Sequence, residues 1–556
     1  MIANPIIKRE LVSMLRTDRA LALQVILVLV LSALVIACWP AEGRANVSGD
    51  QAQQVLSVFG YGLLVGVLLL SPVFPATSIV RERQQGTLSL LLNSPLSSWS
   101  ILFGKLVGTV GFVLLLLVLS LPAAAACYTM GGVGLFGQLL PLYMILFLAA
   151  LQYATLGMLV STYASTTESS LRITYGLILV LAVLTLGPFQ YLQSLRTGLE
   201  AKAVDWLRCL SPIPAMMESL QQSAIETRGS KGLDHVAERF SLLAGISSLL
   251  FLFWTLMRLN FRLFDRSRKV GRVTDDRTTA VRAYRRVMFL WFFDPKRRSG
   301  LIGPLANPVM IKESRSRRFG RSHWLLRLIV TCMILTLALM LATTSGTIDW
   351  GVPNLGAILV VMTVGLIILL TPTLASGVIA AERETGGWRL LMMTPLSPVT
   401  IVSGKLLSVA MPLGLILLAV LPAYVMLLFL DVRHELRIAE TLCCQVFIAV
   451  FALLLSGAIS SLFQRTASAT TVAYTLLVGL CAGTLLFWLG LDAPFTHRTV
   501  EIALIFNPVA AALSLIDAPG FANFKLFPAH WWFLGIGCMV SLLVMTVQTW
   551  RLARPQ

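Results

Sequence analysis

The stretch Ser71-Pro72-Val73-Phe74-Pro75-Ala76-Thr77-Ser78-Ile79-Val80-Arg81-Glu82-Arg83-Gln84-Gln85-Gly86-Thr87-Leu88-Ser89-Leu90-Leu91-Leu92-Asn93-Ser94-Pro95-Leu96-Ser97 has a second copy 300 residues later. Extended to Leu106, it aligns without a gap to 371–406, and 14 of the 36 positions are identical, among them Pro72, Ile79, Glu82, Arg83, Gly86, Pro95, Gly104 and Lys105. Self-similarity of that length at one offset marks an internal repeat. Each copy divides into an apolar helix ending near Ile79 and a short amphipathic helix opening at Arg81-Glu82-Arg83. Leu88, Leu91 and Leu92 share one face at i, i+3 and i+4, as do Trp388, Leu391 and Met392, so this helix should lie along a membrane surface rather than across it. Glu82 and Glu382 fall in its expected first turn, where the helix dipole favours a carboxylate. Ser94-Pro95 and Thr394-Pro395 end it, because proline disfavours helix in the preceding residue. Lys105 and Lys405 sit at the cytoplasmic start of the next span.

The composition around the repeat requires a membrane. Of 556 residues, 57% are hydrophobic and 13% charged, with a mean hydropathy of +0.82. Soluble domains average about 25% charged residues, which excludes an ordinary soluble enzyme. A hydrocarbon layer of roughly 30 Å needs about 20 apolar residues in helix, since lipid offers no partner to a free backbone N–H or C=O. Such runs lie at 21–38, 55–80, 106–133, 138–163, 173–195 and 241–257, then at 328–346, 351–381, 406–430, 441–463, 467–491 and 531–550. The expected fold is all-α and integral to the membrane: twelve transmembrane helices as two six-helix repeats with cytoplasmic amphipathic helices. An even number of spans in each half makes the repeats parallel, a pseudo-dimer about an axis along the membrane normal. The expected division is a first half at 1–261, a basic linker at 262–306 and a second half at 307–556.

Charge sets the orientation. With both termini in the cytoplasm, 33 of the 44 Lys and Arg fall on the inner side, as the positive-inside rule requires. The segment 258–323 holds 18 Lys and Arg against 5 Asp and Glu. It reads as a linker lying against anionic headgroups, not as a nucleic-acid site. Val35-Ile36-Ala37-Cys38 fits a lipoprotein cleavage pattern, but the charged leader before it is too long for a signal peptide and the second half has no equivalent ending. The run 21–38 is therefore expected to remain a span.

The repeat extends further: Asn4-Pro5 with Glu10 corresponds to Asn307-Pro308 with Glu313, Leu121-Pro122 to Leu421-Pro422, and Ser211-Pro212 to Asn507-Pro508. Glu82-Arg83-Gln84-Gln85-Gly86-Thr87-Leu88, Leu91-Leu92-Asn93-Ser94-Pro95-Leu96-Ser97 and Gly104-Lys105 together resemble the signature of ABC-2 type transporter permeases. The second copy, Glu382-Arg383-Glu384-Thr385-Gly386-Gly387-Trp388 through Pro395-Leu396-Ser397 and Gly404-Lys405, is similar, departing at Gly387 (commonly threonine) and Trp388 (commonly leucine). Lys8-Arg9-Glu10-Leu11 resembles the family's elbow helix before span one. The resemblance implies that the region between spans two and three is a coupling helix docking on a separate ATP-hydrolysing subunit, present in two copies. It implies that Glu82, Arg83, Gly86, Thr87 and Pro95, with Glu382, Arg383, Gly386 and Pro395, make that contact, and that ATP and Mg are bound by the partner rather than by this chain. It further implies a cell inner (plasma) membrane exporter, with short re-entrant helices at the exit. Those would be the apolar segments 213–220 and 509–516 within the long outer pieces 196–239 and 492–529.

Other functions lack their residues. A Walker loop needs GxxxxGK[ST], whose amides and lysine hold phosphates; Gly104-Lys105 and Gly404-Lys405 are followed by leucine, with Trp99 and Val399 in place of the earlier glycine. HExxH, GxSxG and CxxC are absent, the 5 histidines are scattered, and the adjacent Cys443-Cys444, Met216-Met217 and Met392-Met393 read as packing. No catalytic or metal site is expected. An ion-coupled carrier with a six-plus-six fold is the main alternative, but such machines keep ionisable residues inside the membrane, and the expected spans carry none away from their margins. A non-transporting membrane assembly protein is the third reading. The charge-free interior favours a lipid-like, amphipathic or otherwise weakly charged substrate, while polysaccharide and drug exporters of the resembled family share this fold, so the sequence does not choose among them.

Overall fold

A computed structural model of the chain describes residues 5–15, 50–182, 199–220, 235–261, 307–316, 352–430, 435–491 and 495–553, with single positions within 24–36, at 185 and within 330–334. The spans expected at 21–38 and 328–346 lie almost wholly outside the described residues, and the linker 262–306 entirely so. Among the described residues there is no β-strand. The first half runs α1 (Pro5–Leu15), α2 (Asp50–Leu70), α3 (Val73–Gln85), α4 (Thr87–Leu92), α5 (Ser98–Thr129), a π-turn at Leu135–Leu139 leading into α6 (Leu140–Tyr163), α7 (Thr167–Ala182), α8 (Leu199–Arg208), α9 (Pro212–Ser219) and α10 (Val236–Phe261). The second runs α11 (Pro308–Ser316), α12 (Val352–Ala375), α13 (Gly377–Glu384), α14 (Gly387–Met392), α15 (Pro398–Leu430), α16 (Glu435–Leu462), α17 (Thr466–Val478), a π-turn at Gly479–Gly483, α18 (Thr484–Leu489), α19 (His497–Ile505), α20 (Pro508–Leu515) and α21 (Ala529–Ala553).

Nine stretches among the described residues are long and apolar enough to cross a membrane: Ala52–Gln85, Ser98–Thr129, Leu135–Tyr163, Val236–Leu259, Pro353–Glu384, Pro398–Leu428, Glu435–Leu462, Thr466–Leu489 and Ala529–Leu552. They coincide with the expected spans two, three, four, six and eight to twelve; span five is described only in part, as α7. The chain is a multi-pass membrane protein. Its outer faces agree: Leu249, Phe253 and Trp254 on α10 and Trp532, Met539 and Leu543 on α21 are exposed, an arrangement suited to lipid and unsuited to water.

The same helix pairings occur in both halves. Helix α1 packs on α5 as α11 packs on α15, α3 on α6 as α13 on α16, α3 on α7 as α13 on α17, and α6 on α10 as α16 on α21. Leu56, Phe59, Leu142, Tyr153 and Phe240 fill one core; Val360, Ile448, Phe451 and Leu534 fill its counterpart. Smaller clusters sit under the repeated motif, Ile79, Leu88, Leu102 and Met158 in one half and Val378, Trp388, Ile401 and Met545 in the other.

One expected boundary moves. The membrane helix does not end near Ile79: α3 continues through Arg81-Glu82-Arg83 to Gln85, and only Gly86, at φ 74°, stops it. Glycine alone adopts that left-handed conformation without strain, and Gly386 at φ 75° does the same. The lying helix is therefore the six-residue α4, or α14, rather than one starting at Arg81. Helices α19 and α20 meet at 106°, a bent pair whose turn is fixed by Asn507, its Oδ1 accepting the Val509 and Ala510 N–H at 2.8 and 3.1 Å. Ser211 caps α9 in the same manner, accepting from Ile213 N–H.

Candidate functional site

Moving the helix end from Ile79 to Gly86 reverses the electrostatics of Glu82. It lies in the last turn of α3, where the negative pole of the helix disfavours a carboxylate by about 0.3–1 kcal/mol. Something must offset this, and Lys105 does. Its Nζ, 4% exposed at the head of α5, lies 2.8 Å from Glu82 Oε1 and 3.4 Å from Glu10 Oε1 on the elbow helix α1. Arg9 closes the ring at 2.7 Å from Glu10 and 3.1 Å from Glu82. Two cations and two anions from three elements form a net-neutral set at one end of the bundle. Burial alone would push the Glu10 carboxyl up, but Lys105 and then Arg9 outweigh it and hold Glu10 below the usual carboxylate value.

The second half repeats the set. Lys405, 1% exposed at its side chain, lies 2.8 Å from Glu313 of α11 and 3.0 Å from Glu382 of α13. Lys312 stands where Arg9 stood, equally half-exposed but farther away, at 3.5 and 3.9 Å. The Gly387 departure now has a cause: a Cβ there would come 2.2 Å from Glu382 Oε2, so the missing side chain makes room for the carboxylate.

The arginines of the motif point inward as well. Arg83 donates to the Thr162 carbonyl at 3.4 Å, and Arg383 donates to those of Ser461 and Phe463 at 2.9 and 3.3 Å, each fastening α3 or α13 to the end of span four. Gln84 donates to the Ser165 carbonyl, while its counterpart Glu384 accepts from the N–H and hydroxyl of Thr466. Ser161 Oγ accepts from the Ile79 and Val80 N–H at 3.1 Å, and Ser460 Oγ accepts from Ile379 and Ala380 at 2.9 and 3.0 Å.

What remains outward is the turn and the lying helix. Gly86, Thr87 and Pro95 are exposed, with Leu90 at 72%; Gly386, Arg389 and Pro395 are exposed, with Leu390 at 69%. Thr87 Oγ1 donates to the Glu82 carbonyl, closing the Gly86 turn. Thus Glu82, Arg83, Glu382 and Arg383 anchor the unit from within, while Gly86, Thr87, Pro95, Gly386 and Pro395 lie on its surface.

Residue-level sequence reading named Lys105, Lys405, Glu10 and Glu313 as repeated without assigning them to the site; their recurrence was the available signal. Ser161 and Ser460 gave no signal, because they lie 299 rather than 300 positions apart and a gapless alignment does not pair them. Among the described residues no three His, Cys, Asp or Glu side chains gather as a metal site.

A search of curated protein sequences finds no match. Residues 4–267 match the family described as ABC-2 family transporter protein, a family of membrane transport components, and this range contains the first elbow, the first anchored turn and the spans around it. Over residues 4–267, the first half of the chain, the sequence matches the ABC-2 transporter family.

Proposed function

We propose that this chain is a fused permease: two parallel six-span halves, 1–261 and 307–556, joined by the cytoplasmic linker 262–306, form one translocation path in a cell inner membrane with both termini in the cytoplasm. A separate ATPase, in two copies carrying the ATP and Mg, docks on α4 and α14, and its closure reorients the halves to move a lipid-like or amphipathic substrate outward. The observation that supports this is the pair of anchored turns. Each presents an exposed leucine, Leu90 or Leu390, on a six-residue helix fixed beneath by a buried lysine between two carboxylates. A lying helix that only rested on headgroups would not need that anchor.

The roles separate by experiment. The chain is purified from native membranes in mild detergent, and any co-purifying nucleotide-binding subunit is identified. Leu90→Asp with Leu390→Asp should lose that subunit while the chain stays folded. Glu82→Ala with Glu382→Ala should retain it yet fail to alter its ATP hydrolysis. Recovery of no ATPase even after crosslinking would refute the permease reading, and an ATPase indifferent to all four changes would refute the docking site.

A further inference from the structure

The seam between the halves is built by α7 packing on α12 and α17, and by α2 packing on the second π-turn and α18. At this seam Tyr175 of α7 meets Tyr474 of α17, ring centroids 4.6 Å apart and planes inclined by 37°. Both side chains are buried. Their hydroxyls turn away from each other, each into its own half: Tyr175 donates to the Leu69 carbonyl at 2.7 Å, and Tyr474 donates to the Leu369 carbonyl. Contact across the seam is therefore ring against ring, while each ring is tied to the span two of its own half.

Those two carbonyls occupy a special place. Leu69 and Leu369 each lie three residues before a proline, Pro72 and Pro372, which has no N–H and weakens the helix there. Ser71 Oγ and Thr371 Oγ1, beside the prolines, are both buried with no hydrogen-bond partner. Buried polar atoms are rarely left so, and the same defect at the same register in both halves marks a point where another conformation would be better satisfied. From Pro72, α3 runs 13 residues to the Gly86 turn, about 20 Å of helix at 1.5 Å per residue. A push on that turn arrives at the carbonyl holding Tyr175.

We propose that Tyr175 and Tyr474 are the gate that closes the path between the halves. Each ring is held shut by its hydroxyl bond to span two and withdrawn when that span flexes at its proline. The proposal deepens the permease reading and rests on it, but its test needs no ATPase.

The full chain is reconstituted in liposomes that trap a fluorophore quenched by iodide, and iodide entry is timed. Wild type should be tight. Tyr175→Phe with Tyr474→Phe keeps the rings and loses the ties, and entry should rise at most a few-fold. Tyr175→Cys with Tyr474→Cys, placed in a chain whose 8 native cysteines are replaced, removes the rings and should raise entry at least tenfold. A short bifunctional thiosulfonate joining the two new thiols should restore tightness, and reductant should reopen the path in the same folded molecule. Entry unchanged from wild type in the reduced cysteine pair, or unaffected by crosslinking, overturns the gate while leaving the permease reading to the ATPase experiment. Failure of that experiment with a reversible leak here would leave the gate standing in a channel of another kind.

Discussion

Replacing Lys405 by methionine tests whether the buried lysine holds three elements together. In the intact protein the Glu313 and Glu382 carboxylates both approach Nζ, at 2.8 and 3.0 Å, so their bonded oxygens lie no more than about 5.8 Å apart. Without the ammonium they repel by about 3 kcal/mol at an effective dielectric of 20. Protonating one of them at pH 7 instead costs a similar amount for an ordinary glutamate, roughly 3–4 kcal/mol. Both routes agree with the 3–5 kcal/mol typical of breaking a buried pair by removing one partner. Lys312 offsets less than Arg9 does in the first half, being as exposed but more distant. Lys105→Met should cost less, below about 2 kcal/mol, because Arg9 stays within 3.1 Å of both carboxylates. Hydrogen exchange reads the difference: amides of α11 should lose about two powers of ten in protection in Lys405→Met, and those of α1 no more than about one in Lys105→Met. Adding Glu313→Gln and Glu382→Gln should restore most of the α11 protection, since no buried charge is then unpaired. Equal losses in the two halves, or no rescue by the triple change, would refute the reasoning.

Three further outcomes follow from the same geometry. Glu10 is held below its ordinary value, so its contribution is complete above the ordinary carboxylate range and disappears as pH falls through the lower folded value; the difference in melting temperature between wild type and Glu10→Gln should be constant near neutrality and vanish in acid. Gly387→Thr, which restores the residue found at position 87, should push Glu382 off Lys405 and destabilise by about 1–2 kcal/mol, whereas Thr87→Gly should cost under about 1 kcal/mol, compared by thermal unfolding. Ser161→Ala and Ser460→Ala each remove the acceptor of two buried N–H groups and should cost about 1–2 kcal/mol, with faster exchange confined to the lower ends of α3 and α13.

Much of this architecture was legible in the chain. The apolar runs located every described span, because a helix in lipid must be long and apolar or leave its backbone unsatisfied. The repeat located the anchored turn, because its identities build it: Glu82 pairs with Lys105, Arg83 ties the helix to Thr162 and Gly86 ends it. The end of α3 was misplaced because charge was taken as the boundary. The physical stop is Gly86, and Glu82 and Arg83 stay helical with their charges met by Lys105, Arg9 and the Thr162 carbonyl, while Arg81 is exposed. Tyr175 and Tyr474 were invisible for a different reason. Each is an ordinary apolar-span residue until the halves are placed together, and their 299-residue separation falls outside the gapless register.

Under the proposed coupling role, the buried charges have a mechanical reason. Apolar packing is non-directional, so helices held by leucine alone can slide by a fraction of a turn at small cost. A lysine between two carboxylates cannot slide, because any shift leaves a desolvated charge without its partner. Elbow, lower span two and the head of span three are thereby locked as one body in each half, further pinned to span four by Arg83 and Ser161 or Arg383 and Ser460. With that body rigid, the weakest points along span two are the proline at 72 or 372, where a backbone bond is missing. On the proposed docking and gate, a force applied at Leu90 or Leu390 is then not dissipated at the membrane surface; it is released one helix higher, at the carbonyls that hold the two seam tyrosines.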